Sequence, residues 1–518
     1  MNRANPTPYD QILYPGHSYR QTHPDRLATL ATLLGMQPTP ADRCRVLELG
    51  CGSGANLIPM AWGLPGAECV GIDLAARPIA EGQATIQELG LGNLQLHQLD
   101  LLDFPDTMGT FDYIIAHGLY SWVPPVVQDK LMAVCQKHLA AHGVAFISYN
   151  TYPGCHIRDM LREMMLYHVH NAPDSLTKIH QAQALLKFLA DSQTEPDEYG
   201  RLLHKELERV MHYSAAHLFH DDLAEINQPL YFHQFMEHAG SFGLQFLSEA
   251  EYFMVQTDQF PEHTVKVLNG LEGNILGQQQ YLDFLRCRRF RQTLLCHANL
   301  AIHFQVQPEQ MADFYFSSPT TAVSANPDLF SPEEMEFHGD QGSRLKTTNP
   351  LAKAALQYLG SMWPQSVHFK EILTEALNSL GRARANEDEI ELGAILQSGF
   401  GTGLVDVHLS PPLLVLEPGE YPMVSPVARM QAARGDLLTT LRHRTVRLDD
   451  TLACQLVQIL DGTHTVASLT DQFRQRARDA ESQGDGTGQG KMISTGQAGE
   501  REMKALLRRL ARLGLLVR

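Results

Sequence analysis

The stretch that most narrows the possible folds is Val46-Leu47-Glu48-Leu49-Gly50-Cys51-Gly52-Ser53-Gly54-Ala55-Asn56-Leu57, an apolar strand running into a glycine turn and a helix. Glycines at 50, 52 and 54 permit positive φ and let a ligand approach the main chain, so a nucleotide-like ligand is implied. Around this turn short apolar runs, at 45–49, 67–73, 94–100, 111–116 and 144–148, alternate with helix-length segments. Five such runs predict a parallel, doubly wound α/β sheet whose ligand sits beyond the carboxyl ends of the strands.

A dinucleotide turn is spaced G-x-G-x-x-G and offers a helix N-terminus to a pyrophosphate. Here the third glycine comes one residue early, and Glu48 lies two residues before the first. A carboxylate there repels a pyrophosphate but favours an ammonium or a sulfonium, which tilts the choice between a dinucleotide and S-adenosyl-L-methionine toward the latter. Asp73 ends the second strand, where it suits a ribose, and Asp100 ends the third, where it suits the exocyclic amine of adenine. One acid at a strand end is ordinarily a helix cap, whereas acids at three strand ends in this order describe a site.

After Pro153 the alternation stops, and apolar positions at helical spacing predict a helical insertion over about 156–220. A helix over 231–238 and strands over 243–247 and 290–297 are expected to complete the same sheet. The expected organisation is an N-terminal cap over 1–40, a catalytic domain over 41–300, a linker over 301–348 and a C-terminal α+β, winged-helix-like domain over 349–518. A Gly- and Gln-rich loop is expected at about 480–499.

Lys plus Arg is 41 against 58 for Asp plus Glu, a formal charge of -17, which argues against nucleic acid as a partner. The first residues lack the apolar core of a signal peptide, no stretch is long enough to span a bilayer, and the eight cysteines form no CxxC pair. A cytoplasmic protein is expected. His212, His217 and His220 share one helical stretch, but helical surfaces collect histidines without metal far more often than with it, and no metal site is assigned.

The Glu-x-Gly-x-Gly-x-Gly turn with Asp73 and Asp100 resembles the class I methyltransferases. Tyr19-Arg20-Gln21-Thr22-His23-Pro24, the segment His117 to Pro124, Ser148 to Gly154, and Asp283 to Leu295 are similar to bacterial proteins with a methyltransferase regulatory domain. Among these are the protein-lysine methyltransferases that modify outer-membrane proteins. The resemblance implies a Rossmann-like core, a regulatory segment near 217–300 and a winged-helix-like C-terminal domain. It also implies S-adenosyl-L-methionine as cofactor, S-adenosyl-L-homocysteine as its product, and a protein substrate such as an outer-membrane protein met before export.

On this reading the cofactor is held by Tyr14, Tyr19 and Gln21 of a closing arm and by Glu48, Gly50, Cys51, Gly52, Gly54 and Asn56 of the turn. Asp73, Leu74, Asp100, Leu101 and His117 complete the set from the strand ends. Methyl transfer from a sulfonium is an in-line displacement that needs alignment, desolvation and a neutral amine. Tyr120, Trp122, Tyr149, Asn150 and Tyr152 are the residues expected to align it, as aromatic faces and acceptors toward a lysine amine. A small-molecule methyltransferase and a non-catalytic cofactor-binding regulator are the alternatives. The insertion and the extra domain suit a large substrate and would equally suit a homodimer.

Overall fold

A computed structural model describes residue 12 and residues 14–193, 197–271, 273–324, 328–482 and 497–517. The expected loop at 480–499 lies outside the described residues over 483–496. An N-terminal helix, α1 (Pro24–Leu33), starts at a proline in its first turn and buries Leu27, Leu30 and Leu33. The next elements are β1 (Arg45–Leu49), α2 (Leu57–Gly63), β2 (Glu68–Asp73), α3 (Ala76–Leu89) and β3 (Leu94–Gln98). Then come β4 (Phe111–Ala116), α4 (Pro125–His138) and β5 (Leu139–Asn150). The insertion is α5 (Cys155–Val169), α6 (Ser175–Asp191) and α7 (Glu198–Met211), packed through Leu161, Met165, Ile179, Leu186 and Leu203.

The sheet is finished by α8 (Phe232–Ser241), β6 (Leu244–Glu249), α9 (Glu262–Asn269), α10 (Ile275–Arg286) and β7 (Phe290–His297). Its seven strands run β3-β2-β1-β4-β5-β7-β6. The first five are parallel, and β7 is antiparallel to both β5 and β6. This is the Rossmann-like α/β fold expected, with strand order reversing between β1 and β4, where a crevice opens at the strand ends. Strand alternation sorts the side chains. Val46, Tyr113, Ile115, Val144 and Phe146 enter one core with α1, whereas Leu47, Leu49, Ile114, Ala145, Ile147 and Tyr149 enter the other with α8.

The late strands are tied by buried charge. Arg291 is fully buried, bonded to Asp283 through Nε at 2.9 Å and to Glu249 through Nη1 at 2.7 Å, and Arg288 reaches Glu249 at 2.6 Å. Removing one member would strand an uncompensated charge.

The described residues of 301–348, expected as a linker, are folded. They carry β8 (Tyr315–Ser317), β9 (Thr321–Ala322), β10 (Met335–His338) and β11 (Arg344–Thr347), and Met311, Phe314, Phe316 and Phe337 are buried in the core shared with α1. β8 lies between β12 (Val367–His368) and β13 (Asp406–His408), and α11 (Pro350–Met362), α12 (Phe369–Ser379) and α13 (Asp388–Gly401) pack beside them. The expected C-terminal domain therefore divides. Its last part, α14 (Pro426–Arg434), the hairpin β14 (Leu437–Thr439) and β15 (Thr445–Arg447), α15 (Thr451–Ile459), α16 (Val466–Ser482) and α17 (Gln497–Arg512), has its own core around Leu438, Leu456 and Leu507.

Candidate active site

The glycine turn lies at the break in strand order. Gly50 and Cys51 donate their N–H groups to Ile72 O at 2.9 and 3.0 Å, which folds the turn back over β2. Gly52 has φ +54°, and a Cβ there would meet nothing within 4 Å, so this position borders open space. Gly118, after β4, is alike, with φ +66° and nothing among the described residues within 4 Å of a Cβ built there.

Glu48 projects from β1 toward this space. Its Oε1 accepts from Asn56 Nδ2 at 2.9 Å, while Oε2 is buried without a partner. Burial pushes its pKa up to about 8, opposed by the Asn56 hydrogen bond and reinforced by Asp73. His117 is a second such group: Nδ1 is buried without a partner, and burial lowers the pKa to about 4, so the ring is neutral. Two orphaned polar atoms beside an open glycine fit a ligand that carries an ammonium and its own donors. Asp73 accepts from Gly52 N through Oδ2 and from Ala75 N through Oδ1, both at 2.8 Å. Asp100 accepts from Leu102 N at 2.9 Å and remains half-buried, Leu74 is exposed, and Leu101 is buried.

Glu48 sets an expected pH dependence. Below about pH 8 the ligand-free protein holds a proton that an incoming ammonium must expel, so affinity for S-adenosyl-L-homocysteine should climb from pH 6 to 8, by at most about tenfold per unit, and then level. Glu48→Gln should be weaker and flat over that window. Calorimetry in buffers of different ionisation heat checks the proton release; a slope that survives in Glu48→Gln rules Glu48 out.

The arm crosses the turn at contact distance, because a Cβ on Gly16 would lie 2.4 Å from Ala55 Cβ. Tyr19 meets His117 edge-on with centroids 3.9 Å apart, and its N–H donates to Asn56 Oδ1 at 3.1 Å. Burial, Glu48 and Asp221 raise the Tyr19 phenol to about 12. Tyr14 instead packs edge-on to His217 and His220, docking the front of the arm on the residues that follow α7. Gln21 turns away from the glycine loop and donates to Glu251 at 2.8 Å.

Two of the five alignment residues face elsewhere. β5 continues to Asn150, so its alternation holds to the end and sends Tyr149 to the face opposite Ser148 and Asn150. Tyr149 stacks on Phe235 at 4.1 Å and its hydroxyl lies 3.1 Å from Thr293 Oγ1. Tyr120 is buried in the same core, with its hydroxyl 2.7 Å from His238 Nδ1. Tyr149→Phe should accordingly cost about 1 kcal/mol of stability in a denaturation curve and leave turnover unchanged.

Asn150 lies on the face of β5 opposite Tyr149. Its N–H donates to Ser121 Oγ and its Nδ2 to Asn227 Oδ1, both at 2.8 Å, and no donor among the described residues reaches its Oδ1. Asn227 leads on to Asp159 at 3.4 Å, and Asp159 accepts from the Tyr152 hydroxyl at 2.9 Å. Tyr152 stacks on His156 at 3.9 Å, Arg158 lies over Trp122 at 5.8 Å, and Phe290, paired with Asn150 in the sheet, reaches 6.1 Å from His117.

Three family models match the chain: a methyltransferase domain over 46–143, a predicted methyltransferase regulatory domain over 214–297, and a PKMT C-terminal winged helix domain over 420–515. The chain is 36% identical over 398 residues to the uncharacterized protein RP789 of Rickettsia prowazekii, covering 75% of this chain and 71% of that one. The chain belongs to this family of S-adenosylmethionine-dependent methyltransferases. A second Rickettsia prowazekii protein, uncharacterized RP028, is 38% identical over 240 residues, which is 46% of this chain and 96% of that one. The solved structure of PKMT2 from Rickettsia typhi in complex with AdoHcy superposes with a TM-score of 0.85 at 28% identity, covering 98% of this chain and all of that one.

Around the candidate residues the methyltransferase also brings Phe290, Asp159 and Asn227, which sequence reasoning did not single out. Phe290 had a signal, since it begins a strand that returns beside β5, but Asp159 and Asn227 come from the insertion and the segment after it, where nothing local marks them. No helix among the described residues of the methyltransferase is long and apolar enough to cross a membrane.

Proposed function

We propose that this methyltransferase acts on lysine ε-amines of protein substrates, in the cytoplasm, with the rim around Asn150 as the amine site. The observation that carries the reading is the Asn150 amide. It is fixed through its backbone and its Nδ2, its Oδ1 has no donor among the described residues, and it shares a sheet face with Glu48 and His117. An acceptor so held can align the lone pair of a neutral amine. Behind it, Asp159 supplies the negative charge that attracts an ammonium, and Trp122, Tyr152 and Phe290 supply aromatic surface that weakens its hydration. The cofactor supplies the electrophilic methyl group. Glu48, the turn backbone, Asp73, Asp100 and His117 would hold it, with Tyr19 closing above.

The PKMT winged helix match and the likeness to PKMT2 support a protein substrate, and an outer-membrane protein taken before export is the substrate class we favour. Incubation with labelled S-adenosyl-L-methionine and a panel of unfolded and folded proteins, followed by mass-spectrometric mapping, tests it. Label on lysine is expected; label only on small metabolites overturns the substrate class, and absence of cofactor binding overturns the whole reading.

A further inference from the structure

We propose that the β14–β15 hairpin of the C-terminal domain is a built part of the cofactor site, and that His443 at its tip is a positioning residue acting on Glu48 through Asn56. This rests on the reading of the glycine turn as the cofactor site.

His443 lies in the left-handed region at φ +55°, uncommon for a residue other than glycine, and its N–H donates to Thr440 O to close the tight turn. Its neighbours grip the unit that holds β8 and β13. Arg442 donates to Pro364 O at 2.9 Å and lies over Trp363 at 4.6 Å, and Arg444 reaches Asp340 at 3.0 Å. With both flanks anchored, the His443 side chain is left pointing inward, buried against the arm with its ring 5.2 Å from that of His23.

There His443 Nε2 meets Asn56 Oδ1 at 2.8 Å. Burial holds the imidazole neutral, and the amide oxygen can only accept, so Nε2 is the donor. Tyr19 N shares the same oxygen. With its oxygen committed to donors, the amide must present Nδ2 to Glu48 Oε1 and to Thr22 Oγ1 at 3.0 Å. One carboxylate oxygen is thus fixed while the other is left orphaned. An arrangement serving stability alone would pair both, because a buried unpaired polar atom costs about 1–3 kcal/mol.

The hairpin also clasps the arm. Ser18 N donates to Thr445 Oγ1 at 3.1 Å and Ser18 Oγ to Thr439 Oγ1 at 3.3 Å. The arm is held between the glycine turn below and the hairpin above, two parts of the chain nearly four hundred residues apart, 387 for Asn56 and His443.

The test uses the full chain. His443→Phe keeps a ring and removes the donor, and His443→Gln keeps a donor; both residues meet the same backbone strain. His443→Phe should weaken S-adenosyl-L-homocysteine binding by about tenfold in calorimetry and raise KM for S-adenosyl-L-methionine alike, with KM for the protein substrate unchanged. His443→Gln should stay within about threefold of the unsubstituted protein at the same Tm as His443→Phe. Equal binding by His443→Phe, or equal weakening by both variants, overturns the proposal. If His443→Phe does not fold, Thr445→Val, at a half-buried position, decides: severalfold weaker binding supports the clasp and unchanged binding overturns it. An unsubstituted protein that fails to bind S-adenosyl-L-homocysteine overturns the cofactor reading instead.

Discussion

Asn150→Ala should lower turnover by about two orders of magnitude while leaving affinity for S-adenosyl-L-homocysteine within about twofold. The separation follows from where the side chain sits. Its Nδ2 is committed to Asn227 and its N–H, which alanine keeps, to Ser121, so the loss falls on Oδ1, which no donor among the described residues reaches. A pre-positioned polar group that meets the reacting atom is worth about 10²–10³ in rate when removed, and its loss need not disturb a cofactor seated on the turn. Stopped-flow single turnover with saturating cofactor measures the methyl-transfer step directly. A change confined to KM would make Asn150 a substrate-binding contact only, and an unchanged rate would remove it from the site.

Gly52→Val should abolish cofactor binding, with S-adenosyl-L-homocysteine affinity falling more than about a hundredfold. Two costs add here. At φ +54° a β-branched residue strains the backbone by about 1–3 kcal/mol, and its side chain would occupy the open space over which the ligand must lie. Because, its chain neighbours aside, no atom of the described residues lies within 4 Å of that Cβ position, the fold has room for the side chain and the damage is directed at the ligand. Gly54→Val offers the contrast: its Cβ would sit 2.9 Å from Leu96, so that variant should lose stability as well. Calorimetric titration beside thermal unfolding separates the two; Gly52→Val binding as tightly as the unsubstituted protein would move the cofactor off the turn.

Most of the sheet was legible because a buried parallel strand is a short continuous apolar run, and Leu47, Val70, Ile114 and Phe146 stand in such runs. Glu48 was legible for the opposite reason, as a carboxylate inside one of them. The error at Tyr149 is one of parity. Taking the strand to stop at Ser148 lets Tyr149 and Asn150 point the same way, whereas two more paired residues force neighbours to opposite faces. Tyr120 misled for a related reason, since an aromatic after a strand end can fill the core beneath the site as readily as line it. The 301–348 segment read as a linker because its strands are two to four residues long, below any useful period; β8 takes its partners from near 367 and 406, while β9, β10 and β11 pair with one another. His443 shows the limit most sharply: only tertiary contact gives it meaning.

The placement of β7 between β5 and β6 bears on how such a protein can be cut and recombined. The methyltransferase domain match ends at residue 143, inside β5, and the regulatory match supplies the two strands that cover the edge of that strand. A fragment ended there would expose a long apolar edge and aggregate, so β7 and β6 have to travel with β5 in any exchange between relatives, and the 301–348 elements with α1, whose core they share. Variation within α5, α6 and α7 leaves every strand of the sheet in place, which makes this helical insertion the natural place to redirect the enzyme.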